Sequence, residues 1–438
     1  MTSFLQRFAN VRREETAPVL MAGLFFMLIL TALMVIRPAR EALGMQRGIE
    51  SVRWLFVGTA VVTLAVNPVF GWMVSRFRRM VFISATYVFF AASLVVFWAL
   101  IELAPDAVGE RSGQVFFVWF SVFNLFSTMV FWALMVDRFS LEQSKRLFGI
   151  IAVGGTIGAI LGPWLATVLA EPLGTANLLL VSAVALLLAV GAAWGVVWLQ
   201  GEPAAGAHRG PDAAIGGSAW EGFRAALGSP YLLGISGFVL IMTVLATFIY
   251  FTRLQMVAAL GDDLDMRTSV FAQIDLITQT TTLLLQALVT GHIMRRFGVA
   301  FALALLPVTA ALGFFGLALA GSFVVLVIFD ATFRAVQRAI MRPARETLFT
   351  VVSTEDKYKS KAFTDTFVYR GGDLLGAWTE GALGQLGMGL YGLATAAGPL
   401  AVVWGGLGIW LGRRQPQMAD PSSASDGPLA DQAAASTV

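Results

Sequence analysis

Twelve long apolar segments constrain the fold of this chain more than any other feature. A helix crosses a bilayer with about 20 mostly apolar residues, and each segment has roughly that length. The segments do not alternate apolar and polar residues as the strands of a membrane barrel do. The sequence therefore predicts an all-α polytopic membrane protein with twelve transmembrane helices in two six-helix halves. The predicted spans are Pro18–Ile36, Val52–Val74, Met80–Leu103, Gly113–Val136, Leu147–Ala170, Ala176–Leu199, Tyr231–Phe251, Ser269–Ile293, Val299–Ala320, Ser322–Met341, Ala362–Gly384 and Leu390–Leu411.

Composition argues against soluble and metal-dependent enzymes. Only 13% of the residues are charged and 57% are hydrophobic, whereas soluble domains carry about 25% charged residues. Cysteine is absent, and the two histidines, His208 and His292, are far apart in sequence, which disfavours a histidine zinc site. Neither a phosphate-binding loop nor a nucleophile with a matching histidine is evident. We expect no enzymatic activity, no metal and no cofactor.

The basic residues indicate the orientation in the membrane. Most of the 30 Lys and Arg residues lie in the loops on the same side as the amino terminus, and such loops are cytoplasmic by the positive-inside rule. We expect both termini in the cytoplasm and the chain in a bacterial inner membrane. Topology accounts for these cations, so the lipid bilayer is an expected partner and nucleic acid is not.

One long polar segment divides the chain. The expected organisation is a cytoplasmic segment 1–17, a six-helix half 18–199, a cytoplasmic linker 200–230, a six-helix half 231–411 and a disordered cytoplasmic tail 412–438. Within the linker, Ser218 to Glu221 has the pattern of a capping box. It predicts a short amphipathic helix at the inner membrane surface.

The two halves repeat in sequence. Gly71 to Arg79 follows the second span, and the similar stretch Gly291 to Gly298 follows the eighth. Two repeated six-span halves are typical of major facilitator transporters. Gly71, Arg76 and Arg79 also resemble the G-x-x-x-D-R-x-G-R-R loop of that superfamily, although its aspartate is replaced by Ser75 and its second glycine by Arg78. The resemblance implies the major facilitator fold and a conformational role for these residues; ordinary positive-inside charge is the alternative.

A second pattern lies in span five. Gly149, Gly158, Gly162 and Pro163 match G-x8-G-x3-G-P, which resembles a motif of antiporters in the superfamily, without its final Gly-Gly. The resemblance implies a conformational role. Close helix packing is the alternative.

Span ten carries a row of charges. Asp330, Arg334, Arg338, Arg342 and Arg345 are spaced by three or four residues, which predicts one shared helix face. Charges in hydrocarbon cost roughly 2.5–3.5 kcal/mol each, so they indicate a cavity, a partner or a substrate. We predict that Arg334 and Arg338 bind an anionic solute and that Asp330 couples transport or balances charge. A structural network of salt bridges is the alternative.

A five-residue sequence occurs twice. Arg37-Pro-Ala-Arg-Glu41 ends span one and recurs as Arg342-Pro-Ala-Arg-Glu346. Guanidinium groups bind phosphate and carboxylate in bidentate fashion. We predict that Arg37 and Arg40 bind substrate and that Glu41 couples transport or balances charge. Anchoring of the two arginines at the outer interface is the alternative.

Other polar and charged residues in or beside the spans are further candidates. Further predicted substrate-binding residues are Arg253, Tyr369 and Arg370. Further predicted coupling or charge-balancing residues are Asp137, Asp275, Asp365 and Asp373.

Several short stretches resemble the ATP:ADP antiporter family, the nucleotide transporters of plastids and obligate intracellular bacteria. They are Lys145 to Gly149 with Gly154-Gly155 after it, Lys359 to Asp365, Arg370 to Asp373, and Ser229 to Leu233. The likeness is to the free-living bacterial relatives of the family more than to its nucleotide exchangers. It implies transport of a nucleotide or a related solute.

The resemblance also has departures. Arg40 stands at the family's first-span lysine and keeps the charge, and Tyr369 stands at a second lysine with Arg370 beside it. Tyr250 and Asn124 stand at acidic positions of spans seven and four. With two acids missing, a phosphate-bearing or other anionic solute fits better than strict ATP/ADP exchange.

Three functions stay open on this basis. The leading hypothesis is a secondary active transporter that moves a small anionic solute by alternating access, with protons or a counter-transported anion as coupling partner. The second is a proton-coupled exporter of amphiphilic compounds or a lipid-related carrier. The third is a non-transporting scaffold or sensor that has kept the fold.

Overall fold

A computed structural model describes residues 11–76, 79–105, 109–200, 227–288 and 290–419. Over these residues the chain is helical and contains no strand. The predicted all-α fold with twelve membrane helices is confirmed. The surface helix predicted at Ser218 to Glu221 lies outside the described residues.

The first six predicted spans each correspond to one continuous helix. Their bounds are α1 Thr16–Gly44, α2 Ile49–Arg76, α3 Arg79–Glu102, α4 Glu110–Arg138, α5 Leu141–Leu173 and α6 Asn177–Gln200. A short 3₁₀ turn, Arg13–Glu15, precedes α1. Ser140 caps α5 by accepting a hydrogen bond from the backbone N–H of Gln143, which ends the α4–α5 connection after a few residues.

The second half contains more interruptions. Its helices are α7 Pro230–Ala258, α8 Leu264–Leu288, α9 Thr290–Ala320, α10 Phe323–Val336, α11 Arg342–Leu348, α12 Thr354–Phe363, α13 Tyr369–Gln385 and α14 Gly389–Ala419. α9 contains a sharp change of direction at Gly298, whose φ is 76°. Only glycine adopts that backbone conformation without steric cost, so it separates the short stretch that follows the eighth span from the ninth span. α14 continues to Ala419, past the point where the tail is predicted to begin.

Nine of the described helices are long and apolar enough to cross a membrane. The predicted spans outside that set are the eighth, tenth and eleventh. α8 is continuous but carries many polar side chains. The other two are divided by π-helical segments, Gln337–Met341 and Thr364–Val368. The spans that depart from a plain apolar helix are therefore ones for which the sequence predicts functional charges.

The π segment of span ten precedes a proline. Pro343 is in the first turn of α11, and its ring nitrogen cannot donate a hydrogen bond to the carbonyl four residues earlier. The backbone instead adopts wider i+5 bonding over Gln337–Met341. The predicted row of charges is therefore not one uninterrupted α-helical face.

The helices cluster into two compact units. The first contains the first six helices together with Arg253–Thr280, and the second contains the remaining helical residues of the second half. The division passes through α7 and α8. In the first unit, α1 packs against α4, α5 and α6, and α3 packs against α6. In the second unit, α9 packs against α10 and α14.

Aromatic side chains fill the core of the first unit. The rings of Phe26 and Phe131 stack with centroids 4.2 Å apart. Tyr87 is buried and donates a 2.8 Å hydrogen bond to the backbone carbonyl of Ser127. This bond satisfies the one polar atom of a side chain that is otherwise surrounded by apolar groups.

Glycines of α5 allow its backbone to touch α1. A methyl group on Gly158 would overlap the carbonyl oxygen of Met27, and one on Gly162 would lie 2.5 Å from the Met34 Cβ. Gly154 meets the backbone of Gly23 in the same way. Gly149 differs, because a methyl group there would have nothing within 4 Å. Close packing therefore accounts for Gly158 and Gly162, and the antiporter-like role of this motif, Pro163 included, stays a prediction.

The loop motif between spans two and three is described only in part. Gly71 lies within α2, Arg76 ends that helix and Arg79 begins α3. Its conformational role also stays a prediction.

Gly158→Ala should destabilise the protein by about 1–3 kcal/mol, because the added methyl group meets a backbone carbonyl that cannot rotate away. The thermal midpoint of the purified protein measures the effect. Gly149→Ala is the matched control and should leave the midpoint unchanged or slightly raised, since alanine favours the helix. Equal midpoints for the two variants would refute the close contact between α1 and α5.

Candidate functional site

Arg40 is held in place by two kinds of interaction. Its guanidinium carbon lies 3.6 Å from the centroid of the Phe117 ring and 5.5 Å from that of Phe120. Its Nη1 donates a 2.8 Å hydrogen bond to Glu41, and its Nε donates to the Phe117 carbonyl at 3.3 Å. Glu41 is only 3% exposed. The cation is thus charge-balanced by its neighbour and oriented by an aromatic surface of α4.

Arg37, one turn earlier on α1, pairs with a different helix. Its Nε lies 3.6 Å from the Asp275 carboxylate of α8. Asp275 is buried, and the Arg37 side chain is 21% exposed. Gln279, one turn further along α8, approaches Met34 of α1 through its side-chain amide. The structure therefore brings two predicted site residues, Arg37 and Asp275, into one ion pair.

The end of α7 and the start of α8 supply further polar groups to the first unit. Arg253 is buried, with its guanidinium carbon 5.8 Å from the centroid of the Phe271 ring. Asp265 accepts a 2.6 Å hydrogen bond from the backbone N–H of Thr175, and the Thr175 hydroxyl bonds that of Thr268 at 2.8 Å. These contacts attach α8 to the turn between α5 and α6.

In the second unit, Asp330 and Arg334 form a buried ion pair. Arg334 Nη2 lies 2.7 Å from Asp330 Oδ2, one helical turn away on α10. Arg334 is 8% exposed and Asp330 is 3% exposed. The local pairing expected from their spacing is present, and it neutralises two charges that would be costly alone.

The remaining arginines of the row differ in their surroundings. Arg338 is half-buried and lies in the π segment. Arg342 is exposed, whereas Arg345 is buried. The charged residues of the row therefore lie in buried, half-buried and exposed surroundings rather than on one uniform face.

Arg345 is the centre of a second cluster at the end of span ten. Its guanidinium bonds Glu346 at 3.0 Å and Asp365, in the π segment of span eleven, at 3.1 Å. Lys361 of α12 also pairs with Glu346. Burial alone would raise the pKa of Glu346, but hydrogen bonds from Lys361 and Arg345 outweigh it and lower that pKa. The cluster joins spans ten and eleven.

Tyr369, Arg370 and Asp373 follow in α13. Arg370 bonds Asp373 at 3.3 Å, and both are partly exposed. Tyr369 is half-buried. Gly372 of the same helix packs closely against Thr243 of α7, and a methyl group on Gly372 would overlap the threonine hydroxyl.

The two copies of Arg-Pro-Ala-Arg-Glu use their charges alike. In each copy the second arginine bonds the adjacent glutamate, as Arg40–Glu41 and as Arg345–Glu346. Each copy also reaches an acid of another helix, Asp275 in the first and Asp365 in the second. Arg37, Arg40 and Arg345 are thus paired with carboxylates of the protein, whereas Arg342 is exposed. Such pairing is expected of a structural or switchable ion pair.

One predicted and one unpredicted residue remain to be described. Asp137 is half-buried at the end of α4, beside Arg138. Sequence reasoning missed Glu380, which is only 4% exposed in α13. Its presence in a predicted span was the available signal, because carboxylates there are costly and seldom incidental.

A family model described as Major Facilitator Superfamily matches residues 19–343. The chain belongs to the major facilitator superfamily. It is thus an integral, multi-pass membrane transporter rather than an enzyme. The comparisons support the superfamily but not the resemblance to the ATP:ADP antiporter family, which stays a prediction. No curated protein matches the chain.

Solved structures share this superfamily fold. A bacterial homologue of the human lysosomal transporter Spinster, inward-facing and unoccupied, is 13% identical with a TM-score of 0.58, over 93% of this chain and 98% of the other. The nucleoside transporter NupG is 13% identical with a TM-score of 0.56, over 93% and 100%. An inward-facing bacterial homologue of the iron transporter ferroportin is 13% identical with a TM-score of 0.63, over 91% and 98%. The cargoes differ, so the likeness shows the fold alone.

Asp330→Asn should lower the free energy of unfolding by about 3–5 kcal/mol, because Arg334 would keep its charge in a buried site. The double variant Asp330→Leu with Arg334→Met removes both charges and should recover most of that loss. Thermal midpoints of the three proteins measure this cycle. A single variant as stable as the parent would show that the pair does not hold α10 in place.

The stability contributed by Glu346 should depend on pH. Because its pKa is lowered on folding, its contribution is present above about pH 4.5 and disappears as the pH falls through the lower folded value. Glu346→Gln should therefore lower the thermal midpoint at pH 7 by about 1–2 °C. The difference from the parent should vanish in acid. A difference that grows with acidity would contradict the pairing with Lys361 and Arg345.

Proposed function

We propose that this transporter is a secondary active carrier of a small anionic solute bearing phosphate or carboxylate, moved by alternating access. The observation that carries the proposal is the π segment Gln337–Met341, which holds Arg338 directly beyond the buried Asp330–Arg334 pair. π-helical turns inside α-helices frequently mark functional sites.

The charge balance of this stretch favours an anion. From Phe323 to Met341 the ionisable side chains are Asp330, Arg334 and Arg338, so cations exceed anions by one. A net positive charge along a span favours binding of an anion over binding of a cation. Guanidinium groups suit phosphate and carboxylate because their donors match two acceptor oxygens at once.

Arg40 of the first unit is proposed, on its own surroundings, as a further anion-binding residue. Its guanidinium is already oriented by Phe117 and by the adjacent Glu41, so little conformational freedom would be lost on binding. A solute anion would compete with the Glu41 carboxylate for the same donors. Arg37, Arg253, Tyr369 and Arg370 stay secondary candidates for the same role.

The substrate class is proposed as phosphorylated metabolites, nucleotides included. The support is the guanidinium chemistry of the site and the resemblance of short stretches to the ATP:ADP antiporter family. We propose that the carrier lies in a bacterial inner membrane with both termini cytoplasmic, as the distribution of Lys and Arg predicts. Either protons or a counter-transported anion would provide coupling, with Asp275 and Asp330 as the candidate acids.

Counterflow in proteoliposomes tests the proposal. Liposomes loaded in turn with nucleotides, sugar phosphates or inorganic phosphate should take up the labelled compound faster than empty liposomes. Neutral glucose and a neutral nucleoside are the comparison solutes. Arg338→Gln should reduce the rate about tenfold or more, because a charged hydrogen bond to the solute is lost. Arg342→Gln removes the same charge from an exposed position four residues on and should change the rate less than twofold.

Two outcomes would overturn the anion carrier. In one, no phosphorylated solute is transported by the parent protein. In the other, Arg338→Gln and Arg342→Gln transport equally well. Transport of amphiphilic compounds driven by a proton gradient and abolished by Asp330→Asn would favour the exporter instead. The buried carboxylates of Asp330 and Glu380 are the observation behind that second candidate.

A further inference from the structure

A groove of about 780 Å³ lies on the first unit between α2, α3 and α4. None of the charged residues proposed above to bind solute lines it. One end is formed by Arg47, Arg111 and Gln114, and the rest of its wall is apolar. It is therefore a separate candidate site, independent of the proposed transport function.

The apolar wall has the depth of one membrane leaflet. Leu55, Gly58, Val62 and Val66 contribute one face of α2 at helical spacing. On α4 the lining runs from Arg111 to Val122, a rise of about 16 Å at 1.5 Å per residue. The hydrocarbon core of a bilayer is about 30 Å thick. A chain lying in the groove would therefore extend from the interface to about the middle of the membrane.

Gly58 and the aromatic residues shape this wall. A methyl group on Gly58 would lie 3.4 Å from Val118 of α4, so the glycine keeps the space between α2 and α4 narrow but open. Trp119 is stacked on Phe116 and Phe123, with ring centroids 5.6 Å and 5.1 Å away. These stacked rings give the groove a fixed side rather than a mobile one.

The polar end carries an excess of positive charge. Arg47 lies 3.8 Å from Glu110 and 3.5 Å from the Gln114 side-chain oxygen. Arg111 is exposed and forms no ion pair with any residue that the structure describes. Among the residues that the structure describes, two guanidinium groups and one carboxylate thus meet at this end.

We propose that this groove binds an anionic phospholipid. The phosphate would lie at Arg111 and Arg47, and one acyl chain would lie along Val62 and Val66. Guanidinium donors match phosphate oxygens, and a net positive end favours an anionic over a zwitterionic headgroup. The long apolar wall of the groove favours a lipid over a soluble phosphate, because only the lipid has an acyl chain that gains from burial there. By the predicted topology this lipid belongs to the outer leaflet of the membrane.

Lipid binding to the delipidated, full-length protein tests the proposal. Native mass spectrometry with phosphatidylglycerol and phosphatidylcholine of matched chains would report the bound lipid. The parent protein should bind phosphatidylglycerol more tightly. Arg111→Gln should weaken that binding about fivefold and leave phosphatidylcholine nearly unchanged. Arg413→Gln, which removes an exposed cation from α14, is the matched control and should behave as the parent.

Two further arms separate the alternatives. Val62→Trp, which fills the groove, should weaken both lipids, whereas glycerol 3-phosphate, which has no acyl chain, should not compete. Competition by glycerol 3-phosphate would assign the site to a soluble anion and overturn the lipid proposal. Equal phosphatidylglycerol affinity for the parent and Arg111→Gln would also overturn it. Counterflow plays no part in these readouts, so failure of the transport proposal would leave them unaffected.

Discussion

The cost of placing charge among apolar helices governs the arrangement of both units. An arginine or aspartate in hydrocarbon is costly by itself, and the cost falls when a partner is within reach. Arg37 with Asp275 and Arg334 with Asp330 meet this requirement across helices and within one helix, respectively. Arg40 meets it twice, with a carboxylate and with an aromatic ring.

Close backbone packing makes those positions rigid. α1 touches α5 through Gly158 and Gly162, and it also carries Arg37 and Arg40. A site that must discriminate among anions needs donors held at defined distances, since a loosely held guanidinium loses binding energy to conformational entropy. Where the structure departs from regular helix, at Gln337–Met341 and Thr364–Val368, it does so next to charged side chains. Span eleven combines both features, because Gly372 packs closely on Thr243 a few residues after its π segment.

Much of the architecture could be predicted from sequence. Twelve spans, the superfamily fold and the pairing of Asp330 with Arg334 follow from apolar length, repetition and i+4 spacing, all of which can be found in the sequence alone. Other features could not be predicted this way. The prediction that Asp330 to Arg345 share one helix face was wrong. The proline at 343 disturbs the backbone hydrogen bonding several residues earlier. Glu380 was missed because it belongs to no repeated or spaced motif, although an acid within a predicted span was itself a signal.

What the sequence by itself determined is where the chain is apolar, where it is charged and which residues lie one turn apart. These properties depend on residues near one another along the chain, and they are enough to specify helices in a membrane. Only the tertiary structure decided that Asp275 pairs with Arg37, that Asp365 pairs with Arg345, and that Phe117 lies beneath Arg40. Those partners are distant in sequence, and their proximity follows from how whole helices pack. The tertiary structure also decided that a methyl group on Gly158 would meet a backbone carbonyl, whereas one on Gly149 would meet no atom within 4 Å. The two glycines differ in which atoms of the neighbouring helix lie beside them.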